Sequence, residues 1–330
     1  GVREAIGSAM MTLGMTARAR PLLEAAYERF RQMPPDSDAR LAVETELAEL
    51  FIFEGKPAQA EAPLRDLLSR ERAANKGVPT AREGDILNAL GSSLRLTSRL
   101  SEAMTTQQEA LALRQRLFGA AGLPVAESLN NIATIHFSAG RFKEAVDAYN
   151  QALSVRAVAL RPLHPMVVQT QANLGLALLR AGDAAGALPY LQQAASAWRG
   201  AHGPDDRGFA TVHTSLGQAR GALAQLEESE AAFIVALQWH VARPVPDAKA
   251  VLATKVNLAV TRAHASKGDP DGCRRSIVEL EALRADPVFV GLSAGLARLT
   301  DEALADAYER CGRAGDADRL RGAIEPITPK

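Results

Sequence analysis

Residues 291–295 read GLSAG, the glycine–serine–glycine spacing of a nucleophile elbow, with Val288-Phe289-Val290 before it as a candidate strand. An elbow needs a strand–turn–helix setting and a histidine base later in the chain. The last histidine, His264, precedes Ser293, so the stretch reads as a loop entering a helix. The six histidines (His136, His164, His202, His213, His240 and His264) are scattered and form neither HExxH nor any other metal-ligand spacing. His136 reads as a packed or partly exposed histidine. The glycine-rich AGDAAGA at 181–187 lacks the Lys-Ser/Thr of a phosphate loop and reads as a turn into a helix. Cys273 and Cys311 stand without a C-x-x-C pair; they read first as two buried thiols, with a disulfide geometrically open. The expectation is a chain without catalytic residues, metal ligands or a cofactor.

Composition narrows the partner. The 330 residues carry 38 basic and 38 acidic side chains, so no global field draws nucleic acid or an anionic membrane. No run of 18 apolar residues appears, and no membrane insertion is expected. Aromatics are 5% of the chain, which leaves the interior to Ala, Leu and Val and favours close-packed helices over strands. The start at Gly1, inside a helix-like stretch, reads as a piece of a longer protein. Compartment and oligomeric state stay open: cytoplasmic, or extracytoplasmic if a membrane helix precedes the chain.

What positions the side chains is a repeat. A turn residue is followed five positions later by a small residue, and seven later by another small or aliphatic one. The pattern runs Gly14-Ala19-Ala26, Gly55-Ala60-Leu67, Ser98-Ala103-Ala110, Gly140-Ala145-Ala152 and Gly182-Ala187-Ala194. Weaker copies follow at Ala224-Ser229-Ala236, Gly268-Cys273-Leu280 and Gly312-Ala317. The middle positions are spaced 41, 43, 42, 42, 42, 44 and 44 residues apart. Upstream of each turn stands an aliphatic residue followed by Gly or Ala, as at Ile6-Gly7, Leu90-Gly91, Ile132-Ala133 and Leu216-Gly217. The turn glycine ends a first helix in a conformation free of steric cost for it. The small residues let two helices cross closely. Helical hairpins at a fixed pitch follow, with repeats expected at about 1–38, 39–78, 79–121, 122–163, 164–205, 206–247, 248–290 and 291–325 and a tail at 326–330. Inter-repeat loops are expected at 71–85, 158–166, 200–208 and 242–250, with Pro326 and Pro329 closing the last helix.

This grammar resembles the tetratricopeptide repeat, and the pitch is similar to the kinesin-light-chain type. PVAESLNNIATIHFSAGRFKEAVDAYNQALSVR carries the likeness best, and RPLHP and AHGPDD keep part of that family's inter-hairpin feature. The opening VREAIGSAMMTLGMTARARPLLEAAYERF resembles the repeat arrays downstream of the kinase domain in bacterial serine/threonine protein kinases. The resemblance implies an all-α, right-handed superhelical solenoid of about eight hairpins, a single domain over 1–330, with the first helix of each hairpin lining a concave groove.

Residues three and four apart share a helix face. One such stripe on the first helices reads Thr45, Glu49, Ile52, then Asn88, Ser92, Arg95, then Asn130, Thr134, Phe137, then Ala172, Leu176, Leu179, with Gln218 further on. The amides suit a peptide backbone because they both donate and accept. Phe137, Leu176 and Leu179 add an apolar patch for side-chain anchoring. The resemblance carries a peptide-holding role to Asn88 and Asn130. The adjacent row of Asn131, Asn173 and Asn257 is left between ligand contact and bonding between neighbouring first helices. Arg95 and Arg180 alone do not make a carboxylate clamp. The expected function is a protein- or peptide-binding module of a bacterial signalling protein. A self-associating scaffold and a small-ligand sensor are the alternatives.

Overall fold

The structure, a computed structural model, describes residues 16–203 and 206–324. Fifteen α-helices lie among the described residues: α1 Thr16–Phe30, α2 Asp38–Phe53, α3 Pro57–Ala74, α4 Ala81–Leu96, α5 Leu100–Phe118, α6 Leu123–Ser138, α7 Phe142–Ala159 and α8 Pro165–Arg180. They continue as α9 Ala184–His202, α10 Gly208–Ala222, α11 Leu226–Val241, α12 Ala248–Ala265, α13 Pro270–Arg284, α14 Ala294–Arg310 and α15 Ala314–Ala323. One 3₁₀ turn, Phe289–Gly291, precedes α14. The chain is all-α, its helices packed as consecutive pairs.

The turns form where the repeat places them. Seven of the eight expected turn residues are described, and all seven take left-handed φ: Gly55 at 74°, Ser98 at 65°, Gly140 at 73°, Gly182 at 90°, Ala224 at 58°, Gly268 at 88° and Gly312 at 74°. The eighth, Gly14, lies outside the described residues, as do Ile6, Gly7, Pro326 and Pro329. Ser98 and Ala224 hold this conformation against their own Cβ, at a cost of about 1 kcal/mol each relative to glycine. The residue five positions on is buried in every described copy, from Ala19, Ala60, Ala103, Ala145 and Ala187, all 0% exposed, to Cys273 at 3%.

Close approach also explains the small partner of the packing leucine. A Cβ on Gly91 would stand 2.8 Å from the Gln107 side chain, and one on Gly217 would stand 2.8 Å from the Phe233 ring. Either would force the two helices of a hairpin apart.

The loops between hairpins are tighter than the sequence suggests. Helix α3 runs to Ala74 and α4 begins at Ala81, because Thr80 Oγ1 accepts the Glu83 amide at 3.0 Å and caps the helix. Asp247 likewise caps α12, accepting the amides of Lys249 and Ala250 at 3.0 and 3.1 Å. Helix α9 extends to His202, into the segment expected to be loop.

The chain divides into two compact units, one of Gly1–Ala181 with Gly200–His202, the other of Gly182–Arg199 with Gly203–Lys330. In the first unit each helix from α2 to α7 packs on the next, and the first helices of successive hairpins also meet, α2 on α4 and α4 on α6. In the second, α10 to α15 repeat that order, with α10 on α12 and α12 on α14.

The cysteines are joined, in place of the two free thiols read first. Cys273 of α13 and Cys311 at the end of α14 form a disulfide with their Cα atoms 6.1 Å apart. Ser293 of the GLSAG stretch caps α14, its hydroxyl accepting the Leu296 amide at 3.4 Å; the turn before it is 3₁₀, not a strand.

Candidate functional site

The amides of α4 and α6 lie side by side in the first unit. Asn131 Nδ2 donates to Asn88 Oδ1 at 2.7 Å, and Asn88 Nδ2 donates to Glu127 Oε1 at 3.1 Å. Asn88 is 9% exposed, and its backbone carbonyl accepts from Gln107 Nε2 and Ser92 Oγ. The Asn88 side chain is thus engaged across the repeat boundary.

At the equivalent position of the next first helix, α6, the situation reverses. Asn130 Oδ1 is buried and receives no hydrogen bond among the described residues. Thr134 Oγ1 donates to the Asn130 carbonyl at 2.9 Å and pairs with the Tyr149 hydroxyl at 2.9 Å. Arg95, half-buried on α4, makes no hydrogen bond or ion pair with a described residue, and burial pulls its pKa below the usual guanidinium value despite the nearby Tyr149 hydroxyl. The Phe137 ring meets Phe142 edge-on with centroids 5.3 Å apart. On α8, Asn173 Oδ1 accepts from Gln169 Nε2 at 3.0 Å, and Leu176 and Leu179 are half-buried. Gln218 sits half-buried on α10 of the second unit. Asn257 Nδ2 turns back to the Ala253 carbonyl of its own helix at 2.8 Å. His136 Nδ1 accepts from Arg141 Nε at 3.0 Å, and burial together with that guanidinium lowers its pKa.

A second feature of this unit is ionic, and the stripe names only Glu49, Asn88 and Thr45 of it. A pocket of about 460 Å³ opens between α2, α4 and α6, lined by Glu46, Glu49, Asp85 and Glu127 together with Arg82 and Arg114. Arg114 projects into it from α5 and is 2% exposed. Its Nη2 reaches Asp85 Oδ1 at 2.7 Å and Glu127 Oε2 at 3.3 Å. Its Nη1 donates to the Pro124 carbonyl at 3.1 Å and to Ser128 Oγ at 3.0 Å. Arg82 is turned toward Asp38 at 3.0 Å and the buried Glu71 at 3.1 Å.

The signal for Arg114 was in the period. Eleven positions after the middle anchors Ala60, Ala103, Ala145 and Ala187 stand Glu71, Arg114, Arg156 and Trp198. They are 1, 2, 3 and 2% exposed. Arg156 repeats the geometry of Arg114, donating to the Met166 carbonyl at 3.1 Å and to Thr170 Oγ1 at 2.5 Å.

Glu49 accepts no hydrogen bond from a described residue. Burial first, then repulsion from Glu127, Asp85 and Glu46, pushes its carboxyl up to about 8, with Arg114 opposing. An unfolded glutamate ionises near about 4.3. Between those values the folded chain holds a proton that the unfolded chain has released, so stability falls as pH rises through this window. Glu49→Gln is expected to remove that slope: near neutral effect at about pH 5, and about 1–2 kcal/mol more stable than wild type at about pH 8.5. Urea titrations at the two pH values check this; equal stability difference at both would refute it.

Among the described residues no helix is long and apolar enough to cross a membrane, and no group of three or more His, Cys, Asp or Glu is placed to hold a metal ion.

Residues 82–157 and 166–238 match the tetratricopeptide repeat family model. No curated protein matches the chain. Among solved structures, a putative kinesin light chain of Podosopora anserina with nearly identical TPR-like repeats is 18% identical, with a TM-score of 0.51, covering 63% of this chain and 96% of its own. RapI in its apo form is 11% identical with a TM-score of 0.68, covering 98% and 96%. A Rap protein complexed with competence and sporulation factor is 14% identical with a TM-score of 0.60, over 98% and 96%. At such identities these likenesses carry the fold.

Proposed function

We propose that this chain is a tetratricopeptide repeat protein and a non-catalytic interaction module that holds an extended segment of a partner against the first-helix face of α4, α6 and α8. The observation that carries this reading is a pair of unmet groups on one face: the buried Asn130 Oδ1 without a donor and the half-buried Arg95 without an acceptor. A buried polar group without a partner costs on the order of 1–3 kcal/mol, and a ligand backbone offers the missing donor. Phe137, Leu176 and Leu179 supply apolar surface nearby for a side chain of the same segment. Gln218 holds the corresponding register in the second unit. The solved Rap protein complexed with a factor supports a partner-regulated signalling role for a stack of this kind. We assign the chain to the regulatory part of a larger bacterial signalling protein, such as a serine/threonine kinase, on the likeness of residues 2–30.

The experiment is selection from a displayed library of random decapeptides, followed by titration of the selected sequences. Asn130→Ala with Thr134→Ala is expected to weaken the selected peptides about tenfold, the loss of roughly one hydrogen bond to the ligand, with a melting temperature lowered only by the lost Thr134–Tyr149 hydrogen bond, which Thr134→Ala alone reports. Selected peptides whose affinity is indifferent to these changes would overturn the site. A sedimentation mass that falls in the double variant, with no peptide selected, would favour the scaffold.

A further inference from the structure

We propose that the pocket between α2, α4 and α6 receives a basic side chain, arginine above lysine, of the segment held on the neighbouring amide face. This rests on the peptide-binding reading and adds the chemistry of one residue of the partner.

The argument begins with what is left over. Four carboxylates line the pocket, against two guanidinium groups. Arg82 is committed outward to Asp38 and Glu71, and Arg114 is committed to Asp85, Ser128 and the Pro124 carbonyl. Glu49, in the pocket wall, is left without a donor, and on the same face of α6 as Glu127, three residues on, Asn130 Oδ1 is a buried acceptor without one. Glu49 and Asn130 Oδ1 are unmet acceptors beside Arg114 Nε, a buried donor without a partner, and four carboxylates against two guanidinium groups leave the pocket favouring a further cation. Arginine and lysine are the side chains that only donate, and the planar guanidinium fork meets several acceptors at once. The volume, about 460 Å³, admits a side-chain head with water.

Electrostatics runs the same way. Burial, with repulsion from Glu127, Asp85 and Glu46 added to it, holds Glu49 protonated up to about 8; a cation that enters relieves the repulsion, so binding favours release of its proton. The groups facing Glu49 are Glu46 on its own helix, Asp85 and Arg82 on α4, Arg114 on α5 and Glu127 on α6. Because the ligand is a side chain tethered to a bound backbone, its affinity adds to that of the amide face; a free diamine has no such anchor.

The test uses the full chain and pairs of peptides. Each peptide selected from the random library is remade with its basic residues as arginine, as uncharged citrulline or as glutamate, and titrated at fixed salt. The arginine form is expected to bind about tenfold or more tightly than the citrulline form. Glu46→Gln with Glu49→Gln is expected to erase most of that ratio, lowering the arginine affinity far more than the citrulline affinity. If the citrulline and arginine forms bind equally, the pocket proposal falls while the peptide face stands. If no peptide binds at all, the peptide reading itself falls. If putrescine alone binds as tightly as the arginine peptides and displaces them, the occupant is a free amine and the proposed side chain is wrong. Urea titration of the double variant shows that the pocket still folds, since removing like charges is expected to stabilise it.

Discussion

Arg114→Ala is expected to destabilise the chain by about 3 kcal/mol, the largest single-residue effect proposed for the first unit. The guanidinium is 2% exposed and ties the end of α5 to the next hairpin through the Pro124 carbonyl and Ser128 Oγ. Truncation strands the Ser128 hydroxyl, itself 0% exposed, and leaves a cavity where the stem packed. It also removes the guanidinium that opposes the repulsion on Glu49 from its neighbouring carboxylates. Arg114→Met keeps the stem volume and is expected to lose about half as much, because the hydroxyl is still stranded but the cavity is filled. Urea unfolding monitored by circular dichroism distinguishes the two variants. A loss below about 1 kcal/mol for the alanine would mean that water replaces the guanidinium at little cost, and the seat would be hydrated rather than sealed.

The contrast between this seat and the turns shows what a sequence discloses. A left-handed turn is a property of one residue's backbone, so Gly55, Gly140 and Gly182 announce it without reference to anything distant. Burial of Ala60, Ala103 and Ala145 follows from the same rhythm, since only a methyl fits where two helices cross. The seat eleven residues after the anchor is buried in four successive hairpins, where it holds Glu71, Arg114, Arg156 and Trp198. Each finds its partner in the segment that follows: Thr80, Ser128, Thr170 and Asp206. Two chemistries must be matched across a loop, and the period of one helix carries no record of the match.

The amides were legible as a row and not as roles. Asn88 and Asn130 occupy equivalent positions in successive hairpins, but Asn88 has Asn131 and Glu127 within reach, whereas Asn130 Oδ1 finds no described donor. The difference lies in the neighbours that the next first helix supplies. For the same reason the acidic pocket escaped the sequence: Glu46, Asp85 and Glu127 stand on three helices and converge only when α2, α4 and α6 are laid side by side.

Reducing the Cys273–Cys311 bond, or replacing both residues with alanine, is expected to lower the stability of the C-terminal hairpins by about 2–4 kcal/mol. The two residues are 38 apart in sequence, and opening a loop of that length restores chain entropy worth about 4 kcal/mol in the simplest account, an upper figure because the reduced, unfolded chain keeps some structure. The site is built to feel that loss. Cys273 lies in a cluster with Val260, Ile277, Leu304 and Tyr308 that joins α12, α13 and α14. In a stack whose repeats contact mainly their neighbours, the effect should stay local. Hydrogen exchange is therefore expected to quicken in α13, α14 and α15 on reduction, while the amides of α4, α5 and α6 keep their protection. Alanine at both positions should reproduce the reduced pattern in the absence of reductant, separating the bond from any other effect of the reagent. Uniform acceleration along the whole chain would show instead that the hairpins unfold as one cooperative body, and the bond would then brace the entire stack.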